Sequence, residues 1–285
     1  MKVLVTGASG FIGNYVIEQL LEKKHQVIAT SFNEVKAKGK SWYKYVTYIS
    51  YDIHSEASEN LFEKFLKPDL VIHLGWGSLS NFKSQEHIDT ILPAHYRFLK
   101  NLILNGLKDL TCIGTCLEYG MQEGCLSEDM PSNPTIAYPI AKHQLYQQLI
   151  LLKRDFDFSL KWVRLFYMYG KGQSEKSILS LLDKALENKE ETFNMSLGEQ
   201  VRDYLPVEDV AKNIITFALQ RSVEGIINCS SNQPISIKQL VAEHLKLKQK
   251  NIKLNLGYYP YPDYEPFKFW GDNAKQLKIK ANESN

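Results

Sequence analysis

The apolar run Lys2-Val3-Leu4-Val5-Thr6 opens directly onto Gly7-Ala8-Ser9-Gly10-Phe11-Ile12-Gly13, and helical periodicity takes over at once through Ile12, Val16, Ile17, Leu20 and Leu21. A strand that passes through three glycines into a helix is the opening of a β-α-β unit and admits few folds other than a parallel sheet. Gly7, Gly10 and Gly13 permit a tight turn and a close approach of the backbone to a ligand. The free amides and positive dipole at the start of the following helix suit a pyrophosphate. With Ser9, Phe11 and Ile12 in the same loop, the G-x-x-G-x-x-G spacing at a first strand-to-helix junction reads as a dinucleotide cradle rather than an empty glycine turn.

The rest of the chain continues the alternation. Strands are expected over 25–31, 45–50, 69–74, 109–114 and 158–166, and helices over 11–24, 57–66, 88–104 and 136–154. Beyond Tyr169-Gly170 the elements shorten, with helices expected over 176–186, 208–220 and 237–245 between short strands. The reading is an α/β fold: a Rossmann-type doubly wound parallel sheet in residues 1–170 and a smaller C-terminal α/β lobe in residues 171–285. The terminal Ala281-Asn282-Glu283-Ser284-Asn285 is expected to fray.

Charge and cysteine usage narrow the partners. Lys and Arg number 34 against 32 Asp and Glu, a net charge of +2 that offers no polyanion-binding surface, so nucleic acid is not expected. Cys112, Cys116, Cys125 and Cys229 are too scattered for a disulfide framework. The C-x-x-x-C spacing of Cys112 and Cys116 has no second pair to complete a zinc site, so no metal is expected. With no apolar leader ahead of the first strand and no stretch long enough for a membrane span, the expected compartment is the cytoplasm, with no membrane partner.

Two further groups carry chemistry. Tyr138-Pro139-Ile140-Ala141-Lys142 puts a phenol and an ammonium four residues apart, on one face near the start of the helix expected over 136–154. A neighbouring cation is expected to lower the phenol pKa and make Tyr138 a proton donor and acceptor near neutral pH. Thr115 follows the strand over 109–114, at the carboxyl edge where ligands of open α/β sheets gather. Its hydroxyl can hold a reacting carbonyl oxygen for Tyr138.

In this order and separation, the glycine loop, Thr115 and the Tyr138/Lys142 pair resemble the extended short-chain dehydrogenase/reductase family, which groups nucleotide-sugar epimerases, dehydratases and ketoreductases. The likeness covers nearly the whole chain. Ile72-His73-Leu74-Gly75 is similar to the family's fourth-strand segment beside the cofactor, with Gly75 where alanine is usual, and Asp52-Ile53 to the pair that contacts adenine. Leu165-Phe166-Tyr167-Met168-Tyr169-Gly170 resembles the segment after the catalytic helix, with Tyr167 in place of a frequent asparagine. Val201-Arg202-Asp203-Tyr204-Leu205-Pro206-Val207-Glu208-Asp209 resembles the R-D-x-x-x-V-x-D stretch of the nucleotide-sugar branch.

The resemblance implies catalysis by Thr115, Tyr138 and Lys142. It implies a cofactor held by Gly7, Ser9, Gly10, Phe11, Ile12, Gly13, Ser31, Asn33, Asp52, Ile53, Leu74 and Gly75, together with Tyr138 and Lys142. The implied substrate is a nucleotide-diphosphate sugar bound in the C-terminal lobe and met by Trp76, Ser78, Tyr167 and Arg202, with the Arg202 guanidinium on the phosphates. The alternative for Arg202 is a salt bridge to a neighbouring carboxylate. The resemblance also implies a homodimer through the helices over 88–104 and 136–154.

Three details select among family activities. The second strand ends at Ser31, without the acid that commonly binds the adenosine ribose in NAD-preferring members. Ser31 and Asn33, with Lys36 or Lys38 in reach, favour NADP over NAD. Cys116 and Leu117 stand where sugar dehydratases carry an Asp-Glu pair, which argues against water elimination. Glu118 follows, facing either substrate or solvent. The Gly114-to-Lys142 region and Tyr259-Pro260-Tyr261-Pro262 are similar to reductases of dTDP- or CDP-linked 4-keto-6-deoxyhexoses. The expected activity is therefore NADPH-dependent 4-keto reduction. A 4-epimerase on retained NAD(P) is the alternative, and a non-catalytic NADP-binding regulator ranks last, because such proteins lose the tyrosine or lysine kept here.

Overall fold

The computed structural model describes residues 1–56 and 59–283. In chain order the elements are β1 (Lys2–Thr6), α1 (Phe11–Glu22), β2 (Gln26–Thr30), α2 (Glu34–Lys38), β3 (Thr47–Tyr48), α3 (Leu61–Lys64), β4 (Leu70–His73), α4 (Leu92–Leu104), β5 (Asp109–Thr115) and β6 (Gly124–Leu126). They continue with α5 (Ala137–Leu152), β7 (Ser159–Leu165), β8 (Tyr167–Tyr169), α6 (Ile178–Glu187), β9 (Thr192–Asn194), β10 (Val201–Pro206) and α7 (Val207–Leu219). The last are β11 (Gly225–Cys229), β12 (Pro234–Ser236), α8 (Ile237–Lys248), β13 (Lys253–Asn255), β14 (Phe269–Gly271) and α9 (Ala274–Glu283).

Seven parallel strands form the central sheet in the order β11-β7-β5-β4-β1-β2-β3. Because successive residues of a strand face opposite ways, Val3 and Val5 pack on one side with Val16, Ile17 and Leu20 of α1 and Ile214 and Phe217 of α7. Leu4, Val71 and Leu110 pack on the other with Phe98 and Leu102 of α4 and Leu145 and Leu149 of α5. Strand order reverses between β1 and β4, and the carboxyl ends of those strands flank the crevice where such sheets take ligands. Among the described residues no helix is long and apolar enough to cross a membrane.

Residues beyond 170 do not all leave the main body. β11 pairs with β7 as the outermost strand, and α7 and Ile279 of α9 join the α1 side of the core. The smaller lobe is what remains: the β12-β10-β8 sheet, the β13-β9 pair, and α6 packed on α8 through Leu182 and Val241.

Local differences from the sequence reading have local causes. The helix expected over 88–104 opens as a π-turn at His87–Ile91, because Pro93 at the start of α4 has no N–H for the regular ladder. The helix expected over 57–66 contracts to α3, capped by Asn60 Oδ1 accepting from Glu63 N at 3.0 Å; Ala57 and Ser58 lie outside the described residues. The strand expected over 45–50 contracts to the edge strand β3. The C-terminal end is helical in α9 as far as Glu283, with Ile279 buried, while Ser284 and Asn285 lie outside the described residues.

Candidate active site

A cavity of about 680 Å³ runs along the carboxyl edge of the sheet from the glycine loop to the start of α5. Gly7 sits at φ +65°, and a Cβ there would come within 2.8 Å of Gly75 N; at Gly13 it would meet Gly7 O at 2.4 Å. Both positions require glycine, and the fourth-strand segment packs against the loop for that reason. Gly10 precedes α1 in extended conformation with no side chain capping the helix, so the first-turn amides are free to bind an anion. This cradle fits a dinucleotide pyrophosphate.

At one end of the cavity, Ser31 Oγ bonds Tyr48 Oη at 2.9 Å, and Asn33 Oδ1 caps α2 by accepting from Lys36 N at 2.9 Å. Lys36 lines the cavity, whereas Lys38 pairs with Glu34 at 3.2 Å. Asp52, Ile53, Leu74 and Gly75 line the same stretch. Asp52 Oδ1 accepts from His54 N at 2.9 Å, and Gly75 N donates to Thr6 Oγ1 at 3.2 Å.

At the other end lie Thr115, Tyr138 and Lys142. Thr115 ends β5 and caps the 3-10 turn Cys116–Tyr119, its hydroxyl accepting from Leu117 N at 3.3 Å, and it lines the cavity beside the Tyr138 phenol. Tyr138 N donates to Phe82 O at 3.0 Å, and the Tyr138 ring stacks on Phe82 with centroids 5.1 Å apart. Lys142 Nζ donates to Ile113 O at 2.8 Å and lies 4.0 Å from the centroid of the Trp76 ring. Burial lowers the Lys142 pKa to about 8, against the pull of Cys112 and Glu118. Burial, with Glu118 and Cys116, pushes the Tyr138 phenol up, and the neighbouring Thr115 hydroxyl works in the opposite direction. The expectation of a lowered phenol pKa is thus reversed: desolvation dominates, and the ammonium is directed at Ile113 O and the Trp76 ring.

Glu118 faces neither substrate nor solvent. It is wholly buried; Oε1 accepts from Thr115 N at 2.8 Å, Trp162 Nε1 donates to it at 3.0 Å, and Arg164 Nε donates to Oε2 at 3.1 Å. A buried ion pair therefore sets the backbone that carries Thr115.

Two expected substrate residues are placed elsewhere. Arg202 is off the cavity wall and takes its alternative reading: Nη2 pairs with Glu265 Oε1 at 2.9 Å while Nη1 donates to Val201 O and Phe267 O. Ser78 is also off the wall, at φ +55°, with Oγ donating to Glu86 Oε2 at 2.6 Å. Trp76 and Tyr167 do line the cavity, and the Tyr167 hydroxyl donates to Glu265. Sequence reasoning missed Phe82, His95 and Glu265. Phe82 and Glu265 sit in irregular segments without periodicity; His95 carried a faint signal as a polar residue on the apolar stripe of a helix.

The family model described as "NAD dependent epimerase/dehydratase family" matches residues 3–230. A dTDP-6-deoxy-L-talose 4-dehydrogenase (NAD(+)) of Aggregatibacter actinomycetemcomitans is 29% identical over 95% of this chain and 99% of its own length. A dTDP-4-dehydro-6-deoxyglucose reductase of Escherichia coli is 24% identical over 88% and 83%. The solved UDP-glucuronic acid 4-epimerase of Bacillus cereus, in complex with UDP-glucuronic acid and NAD, shares the fold: TM-score 0.83 at 22% identity over 98% of this chain and 92% of that one.

Proposed function

The chain belongs to the NAD dependent epimerase/dehydratase family, and on that premise we propose that it reduces the 4-keto group of a nucleotide-linked 6-deoxyhexose, dTDP- or CDP-linked, with NADPH. The carrying observation is the wall beside the reacting group. Thr115, Tyr138 and Lys142 stand together, flanked in the cavity by Phe82, Cys116, Leu117 and Phe166, with no carboxylate among these neighbours. Such a wall suits the methyl group of a 6-deoxy sugar and lacks the acid-base pair that elimination of water needs. The two relatives named above act, by their names, at C4 of 6-deoxyhexoses, one as dehydrogenase and one as reductase, which is the same bond worked in opposite directions.

When bound, the nicotinamide supplies the hydride. Tyr138 gives its phenolic proton to the C4 oxygen, Thr115 holds that oxygen, and Lys142 binds the cofactor ribose. Ser31 and Lys36 offer hydrogen bonds and a positive charge to a 2′-phosphate. Exposed apolar side chains on α4 and α5, among them Leu104 and Leu151, support a homodimer through those helices. A cytoplasmic location follows the same reading.

The test is to supply nucleotide-linked 4-keto-6-deoxyhexoses with NADPH and follow the absorbance of the reduced nicotinamide. The expected result is stoichiometric oxidation, with Ser31→Asp moving preference toward NADH by repelling the 2′-phosphate. Interconversion of two 4-hydroxy sugars without net absorbance change, with 4-keto sugars left unreduced, would make the enzyme an epimerase.

A further inference from the structure

We propose that Trp76 is a positioning residue that keeps Lys142 cationic inside the protein, its indole face serving as the counter-surface for the ammonium. The proposal rests on the reading of Lys142 as the residue that binds the cofactor ribose. Lys142 is 3% exposed, and among the described residues it has no ion-pair partner. Its contacts are one carbonyl, Ile113 O, and the Trp76 ring 4.0 Å away. A desolvated ammonium over an indole gains substantially from the negative face of the ring.

The indole is locked in this position. Trp76 Nε1 donates to His87 Nδ1 at 3.2 Å; because an indole N–H can only donate, His87 presents Nδ1 as acceptor and directs Nε2–H to Asn81 O at 3.0 Å. His95 packs against the indole with ring centroids 4.7 Å apart, and the Tyr138 ring meets its edge at 6.2 Å. His95 is held in turn by His73 Nε2 at 2.8 Å, and His73 Nδ1 by Thr6 Oγ1 at 2.9 Å.

Every titratable group that faces the ammonium is compatible with this role. Cys112 on β5 and Glu118 in the following turn favour the charge, and Tyr138 on α5 is held neutral by burial. His73 on β4, His95 on α4 and His87 in the π-turn are all lowered by burial, so none adds a competing positive charge near neutral pH. Trp76 offsets part of the desolvation that would otherwise strip the proton from Lys142.

The test compares Trp76→Leu and Trp76→Phe with the unaltered protein by titrating NADPH and NADH against pH, with nicotinamide fluorescence as the readout and no sugar present. Wild-type binding is expected to weaken as pH rises through about 8, where Lys142 loses its proton. In Trp76→Leu that limb should move down by about one pH unit, and in Trp76→Phe, which keeps an aromatic face, by less. In ligand-free protein the tryptophan emission should titrate over the same range and lose that step in Lys142→Met. A folded Trp76→Leu with an unmoved limb overturns the proposal. So does an emission step that survives in Lys142→Met, and this arm needs no Trp76 variant to fold. A shifted limb in a protein that reduces no nucleotide sugar would leave this inference standing and remove the proposed substrate.

Discussion

Lys142 is a charged group that folding strips of water, and the chain bears the cost of that in its stability. Its pKa falls from 10.5 to about 8 on folding because burial disfavours the ammonium. Below pH 8 the folded and unfolded chains are both protonated there, and the folded state bears the full cost, on the order of 3–4 kcal/mol at roughly 1.4 kcal/mol per unit. As pH rises from 8 to 10.5 the folded state releases its proton first and the cost disappears. Lys142→Met should therefore raise the melting temperature by a few degrees at pH 7 while abolishing tight cofactor binding, and the gain should shrink toward pH 10. A difference absent at pH 7, or growing with pH, would contradict the burial argument. The neighbouring Tyr138→Phe removes a proton donor that is neutral in folded and unfolded chains alike near pH 7, because burial raises its pKa from 10.0. It should leave cofactor affinity nearly unchanged and cut turnover by roughly a hundredfold or more.

At the scale of elements, the end of β5 binds stability to chemistry. A Cβ on Gly114 would fall 2.3 Å from Trp162 Nε1 and 2.4 Å from Glu118 Oε1, so the strand can carry Thr115 to the cavity only with glycine there. Glu118→Gln, which leaves Arg164 buried without its ion partner, should cost about 3–5 kcal/mol by thermal or denaturant melting and loosen Thr115 as well. An unchanged melt would mean that the pair contributes nothing net. Strand and helix periodicity made β1, α1, β2, β4, β5, α5 and β7 legible, and the glycine loop and the Tyr138/Lys142 spacing located both ends of the cavity. Contacts between segments distant along the chain could not be read this way. Glu118 meets Trp162 and Arg164 on another strand, and Arg202 meets Glu265 in an irregular segment whose residues carry no period. The direction of the Tyr138 shift was illegible for a related reason, since helical spacing brings a lysine near but does not report how thoroughly both groups are dehydrated.

For the whole molecule, the division at residue 170 separates the sequence more cleanly than the structure. Val210, Ile214 and Phe217 of α7, Ile227 of β11 and Ile279 of α9 are part of the core that also holds α1. A chain ending at residue 170 would leave β7 as an open edge and uncover the α1 face of the sheet. It should express as aggregated or molten protein with no cooperative melt by circular dichroism; a cooperative melt with retained dinucleotide binding would show that the first half folds by itself. The same topology sets a timetable for biosynthesis. The glycine loop is made before the rest of its sheet, whose outermost strand arrives only with Gly225–Cys229 and whose covering helix α9 only with Ala274–Glu283. Nucleotide capture therefore waits for segments made long after the loop that performs it, and until they arrive the uncovered sheet has to be kept from aggregating.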